Sequence, residues 1–161
     1  MVQWGRRFPV AAMPDHRPSS TPPVPRTLRV IGHAVATLDQ TRLPFEATEL
    51  VLDTAAACAH AIASMQVRGA PLIGATAAFG VAFALRDAPD DAALDAALAR
   101  LAATRPTAVN LHWALARLAA AVRPLPPSAR AAAAWREAVA VADEDVAINR
   151  AIGGHGAALL Q

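Results

Sequence analysis

The chain has 161 residues, enough for about one domain with a real core, and 55% of them are hydrophobic while only 4% are aromatic. Its 15 basic residues are all arginines, they face 13 acidic ones, and they spread along the chain without forming a stripe. That pattern argues against a nucleic-acid platform, and no uninterrupted apolar run reaches the ~18 residues of a membrane span.

Residues 1–26 contain six prolines with Ser19, Ser20 and Thr21 among them, the composition of a disordered leader. Met13 offers an alternative start, and Val10 to Met13 is too short for the apolar part of a signal peptide. From Leu28 the pattern changes to short apolar runs punctuated by Gly32 and Pro44, which predicts two or three antiparallel strands. Everything after Thr54 reads as helix, so the expected class is mainly α (α+β), a small N-terminal antiparallel sheet followed by a helical bundle.

The first helix is expected over Ala55–Gln66, and the second from Pro71 to about Leu85. The second is apolar on nearly all sides, the mark of a central, buried helix. Asp90 is positioned to cap a third helix carrying Leu94, Leu98 and Leu101. A fourth is expected to open at Pro106 with a stripe of Leu111, Leu115, Leu118 and Val122. The last starts near Ser128, places Trp135, Val139, Ala142 and Val146 on one face, and is ended or interrupted by Gly153-Gly154-His155-Gly156. Trp113 and Trp135 are expected in the core, and Leu159 and Leu160 have no packing partner in the sequence.

Two short segments carry the chemistry. Arg68-Gly69-Ala70-Pro71 and Thr104-Arg105-Pro106-Thr107 each place an arginine just before a proline at an expected helix start. Free N–H groups and the positive end of the helix dipole lie there, and a guanidinium fork suits phosphate oxygens. Arginines that merely meet solvent would show the same local pattern. Asn110, four residues beyond Pro106, is placed to orient the loop holding Arg105.

Other candidates are weaker. Cys58 lies in an alanine-rich helix with no cation guaranteed beside it and reads as packing, and a lone cysteine fits a reducing cytoplasm. His33, His112 and His155 have no second ligand at metal spacing, so neither a metal nor another cofactor is expected. Asp39 with Glu46, and Glu144 with Asp145, read as solvated carboxylates. Gly74 and Gly80 fall inside a helix and suggest close helix packing instead of a nucleotide loop.

Four ordered blocks resemble the methylthioribose-1-phosphate isomerase family. They are Leu38 to Pro44, Met65 to Pro71 with Ile73-Gly74, Thr104 to Leu111 with Trp113-Ala114-Leu115, and Glu144-Asp145 to Asn149 with Ile152-Gly153 and His155-Gly156. The resemblance runs from about Val30 to Leu160. It implies a division into a leader (1–26), an N-terminal sheet with a helical substrate-binding domain (27–126), and a linker helix with the start of a Rossmann-like C-terminal domain (127–161).

It further implies that Arg68, Gly69, Ala70 and Arg105 bind a phosphorylated pentose, methylthioribose 1-phosphate, for aldose–ketose isomerisation in methionine salvage. The family's catalytic cysteine and aspartate would fall beyond Gln161, so the chain alone is expected to be inactive, and a separately encoded C-terminal half is an expected partner. Neither nucleic acid nor membrane is. Leu72, His112 and Gly154 depart from the family's usual alanine, phenylalanine and acidic residue. A regulatory module related to translation-initiation exchange-factor subunits, or the remnant of a truncated gene, are the alternatives.

Overall fold

A computed structural model describes residues 26–160; the expected leader therefore lies, apart from Arg26, outside the described residues. Three antiparallel strands come first, β1 (Leu28–Ile31), β2 (Ala34–Leu38) and β3 (Glu49–Leu52), in the order β1-β2-β3. Leu28 faces Thr37 and Ile31 faces Ala34, so β1 and β2 are joined by the two residues Gly32-His33. Gly32 takes the positive φ, +59°, that such a tight hairpin requires. Leu28, Val35 and Leu52 point into the core, which fixes the sheet's inner face.

Five helices follow: α1 (Ala55–Ala63), α2 (Ala70–Asp87), α3 (Asp91–Thr104), α4 (Val109–Val122) and α5 (Pro127–Ala158). Thr54 caps α1 by accepting from the Ala57 N–H, and Asp90 caps α3, as its position predicts, by accepting from Ala93. The first helix stops three residues short of the expected Gln66. Met65 takes φ +64°, and the Val67 N–H closes back on the Ala61 carbonyl, a turn that leaves the helix axis.

The central helix is α2, with twelve of its eighteen residues buried among α1, α3, α4 and α5. By length and apolarity it could cross a membrane, but most of it is already buried inside the bundle. Its two glycines sit where neighbours come closest. A Cβ at Gly74 would lie 2.9 Å from the Asn110 carbonyl oxygen of α4, and one at Gly80 would lie 3.1 Å from the Leu101 methyls and 3.2 Å from Cys58 Cβ. Both glycines thus serve helix packing, as expected.

On the opposite side Phe79 and Phe83 meet Trp135 of α5 at 5.3 and 5.9 Å between ring centroids. On α5 Ala142 is buried and Trp135 and Val139 pack half-buried against the core, as expected, but the buried centre also takes in Ala134, Ala138 and Val141. Arg130, 5% exposed, fastens the start of α5: it donates to the carbonyls of Leu125, Pro89 and Arg123 and pairs with Asp91 at 2.8 Å.

Two further expectations are corrected. The last helix runs through Gly153, Gly154 and Gly156 and ends at Ala158. A glycine weakens a helix by about 1 kcal/mol without having to end it, and the backbone bonds continue. Trp113 is half exposed instead of buried, since α4 turns it toward solvent beside α5.

Candidate functional site

The first of the two arginine segments is held in place by the end of β2. Asp39 accepts from the Thr41 hydroxyl at 2.6 Å, the Thr41 N–H at 3.0 Å and the Gln66 amide at 3.0 Å. Those donors, the Thr41 hydroxyl foremost, hold its carboxyl below the usual range. The Gln40 N–H donates to the Gln66 carbonyl at 2.9 Å, and the Gln40 side chain donates to the Arg68 carbonyl at 3.2 Å. Arg68 in return donates to the Gln40 carbonyl. Gln66 and Arg68 are therefore stitched to Asp39 and Gln40, segments far apart in sequence.

Beyond Arg68 the chain turns through Gly69, whose φ of +92° suits only glycine, and enters α2. Ala70 is the first helical residue and Pro71 the second, one place later than expected. The first intrahelical bond runs from the Ile73 N–H to the Gly69 carbonyl, so the N–H groups of Ala70 and Leu72 are left for another acceptor.

The second segment differs from expectation. Arg105 ends α3, and Pro106 opens a turn closed by the Ala108 N–H on the Arg105 carbonyl, with α4 starting only at Val109. His112 bonds the Pro106 carbonyl at 2.9 Å and steadies that turn. The reason is steric: proline fixes its own φ but cannot donate, and the turn satisfies the backbone before the helix begins. Among the described residues Arg105 has no acidic partner, and it is partly buried.

The two helix starts meet at one cleft of about 460 Å³. Pro71 and Gly74 of α2 form one wall, Asn110 and Trp113 of α4 another, and Glu144 and Ile148 of α5 the third. The Gly74–Asn110 approach sets the α2 and α4 starts side by side. Arg68, Gly69, Ala70 and Arg105 do not line the cleft; Ala70 opens α2, and the other three lie in the segments that lead to the two helix starts. Asn110 faces the cleft, with no bond to the Arg105 loop among the described residues.

Glu144 is not simply solvated as expected. Arg117 of α4 donates to both its carboxylate oxygens, at 2.5 and 2.7 Å, and to Glu137 at 2.5 Å. Asp39 and Glu46 have separate partners, Glu46 pairing with Arg42, so they make no catalytic pair. Cys58 is fully buried, and burial pushes its thiol up to about 12, which makes it packing. Among the described residues no cluster of three or more metal-ligating side chains occurs.

No local pattern marks Asp39, Gln40 and Gln66 as the residues that set the Arg68 loop, or Arg117 as the partner of Glu144. The Leu38–Pro44 block carried the first signal, but nothing local says that it pairs with a loop 27 residues away.

Comparison with known proteins adds a second line of support. A family model described as the initiation factor 2 subunit family matches residues 66–161. Methylthioribose-1-phosphate isomerase of Methylobacterium nodulans is 59% identical over 129 residues, covering 80% of this chain and 35% of that protein. The chain thus spans about a third of the length of such relatives. Among solved structures, 5-methylthioribose 1-phosphate isomerase from Pyrococcus horikoshii is 37% identical with a TM-score of 0.70, over 77% of this chain and 37% of that one. The delta subunit of translation initiation factor eIF-2B from A. fulgidus is 33% identical with a TM-score of 0.68, over 75% and 37%.

Proposed function

The chain belongs to the initiation factor 2 subunit family, and we propose that within it this chain is the phosphosugar-binding part of an aldose–ketose isomerase acting on methylthioribose 1-phosphate in methionine salvage. The observation that carries this reading is the meeting of two helix starts, each led by an arginine loop, at one cleft. Arg68 and Arg105 supply permanent positive charge, while Gly69 and Ala70 let a phosphate approach free backbone N–H groups. In a substrate phosphorylated on C1 the ring must open before hydrogen moves between C1 and C2, and two cationic anchors hold the opened chain in register.

No acid–base pair or activated nucleophile stands among the described residues at this cleft, since Glu144 is tied to Arg117 and Cys58 is buried elsewhere. The chemistry is therefore assigned to further polypeptide, either continuous with residues 127–161 or separately encoded; a lone, unpaired cysteine supports a location in the cytoplasm. Support comes from the apolar rim: Val109 is 78%, Ile148 58% and Ile152 63% exposed, a surface suited to being covered.

An isomerase assay on the purified 161-residue chain tests the reading. No turnover is expected from the chain alone; turnover well above that of an Arg68→Ala, Arg105→Ala double variant contradicts it. The likeness to the eIF-2B delta subunit favours one second reading, a non-catalytic binding module. A protein partner purifying with the chain in fixed stoichiometry, without phosphosugar binding, would select it.

A further inference from the structure

The cleft assigned to a phosphate ester has carboxylates on its own wall, which is electrostatically unfavourable as it stands. Glu144 and Asp145 both line it. Like charges at such range repel appreciably unless a counter-charge intervenes. Each is already engaged. Asp145 accepts from the Asn149 amide at 3.0 Å, one turn further along α5. Glu144 is gripped by the Arg117 fork through both oxygens, a geometry that also fixes the plane of the carboxylate.

Arg117 does more than pair. It lies 5.3 Å from the centroid of Trp113, one helical turn back on α4, so the same guanidinium that holds Glu144 backs the indole forming the cleft's α4 wall. Its Nε donates to Glu137, which orients the fork from behind. The side chain is 25% exposed while that of Glu144 is 52% exposed, so the arginine is the better anchored partner.

We infer that Arg117 is a positioning residue for phosphosugar binding: it offsets the charge of Glu144, sharing its own with Glu137, and holds the carboxylate and Trp113 in the arrangement that lets an anion enter. This deepens the function proposed above and rests on it. Glu144 itself makes no contact with the ligand; its charge is an obstacle that Arg117 lessens. Arg117 thus differs from Arg68 and Arg105, to which the proposed function gives the phosphate itself.

The test is calorimetric titration of the chain with methylthioribose 1-phosphate at low salt. Arg117→Met is expected to weaken binding about three- to fivefold, the effect shrinking at high salt. Adding Glu144→Gln to that variant is expected to restore the affinity, which a purely structural role for Arg117 would not allow. A double variant as weak as Arg117→Met, or an Arg117→Met chain that binds normally, overturns the inference.

If Arg117→Met does not fold, as circular dichroism would reveal, Glu144→Gln alone decides. Tighter binding is expected, because one negative charge leaves the cleft wall while Arg117 stays paired with Glu137; weaker binding overturns the inference by making Glu144 a ligand contact. Arg68→Ala separates the two levels. Binding that Arg68→Ala abolishes but that ignores residues 117 and 144 defeats this inference only, whereas no binding by the unaltered chain defeats the proposed function as well.

Discussion

Arg68 and Arg105 are held differently, and that difference governs what their loss would do. Arg68 is built into a hydrogen-bonded seam with Gln40, whereas Arg105 keeps its guanidinium without an acidic partner among the described residues. Asp39 anchors the seam, and its lowered pKa gives it a sign. A carboxylate stabilised in the fold contributes fully above the unfolded aspartate value, about 4, and its contribution disappears as pH falls through the lowered folded value. Urea midpoints measured between neutral pH and pH 2 should therefore fall less steeply in acid for Asp39→Asn than for the unaltered chain; parallel curves would deny Asp39 this part.

Cys58 gives a second check at this scale. With no exposure and a thiol pushed up to about 12, it should resist iodoacetamide at pH 8 in the native chain and react at once in denaturant. Rapid native labelling would mean that α1 opens readily.

What was legible at the residue scale followed chemistry that neighbours in sequence can carry. An arginine before a proline is visible in four letters, and so is a lone cysteine among alanines. The Asp39–Gln66 and Arg117–Glu144 contacts join segments 27 residues apart and are set by tertiary packing, which no local spacing reports. Trp113 shows the opposite failure. Its size argues for burial, but the face of α4 it occupies borders a cleft, and half of it stays exposed.

Among the elements, α2 was the most legible because its apolar residues encircle it, a pattern only a buried helix tolerates. Helix boundaries were less so. Pro106 looked like a helix opener, yet the turn through Ala108 delays α4 by three residues. Three glycines looked like a terminator for α5, yet the helix passes through them. Propensity weights such choices by about 1 kcal/mol per residue, too little to decide them alone.

The glycine that matters for the site is Gly74, where α2 and α4 touch. A methyl group there would meet a backbone oxygen at 2.9 Å, and backbone cannot step aside as a side-chain tip can. Gly74→Ala should lower stability by about 1–3 kcal/mol and weaken phosphosugar binding together, because it pushes apart the two helix starts that form the cleft. Thermal denaturation and titration of the same variant check this. A variant with unchanged melting would show that α4 has room to move.

For the molecule as a whole, the sheet and the bundle share one hydrophobic core in which Leu28, Val35 and Leu52 of the strands join Phe79 and Phe83 of α2. That architecture was legible from the change of period at Thr54. The use of its open face was not. Ile148 and Ile152 stand exposed on the last turns of α5, and Leu159 and Leu160 just beyond its end, past the buried stretch that ends at Ala142. The sequence shows these residues to be apolar, but their exposure follows from the position of α5 over α2. In the proposed account that face receives the polypeptide that supplies the chemistry.

The most direct measurement is titration of the unaltered chain, Arg68→Ala and Arg105→Ala with methylthioribose 1-phosphate, each variant first shown to melt normally. Saturable one-to-one binding is expected, weakened by about tenfold or more by each substitution, the loss of one charge-assisted phosphate contact. Binding indifferent to both arginines, or no binding at all, would contradict the proposed function.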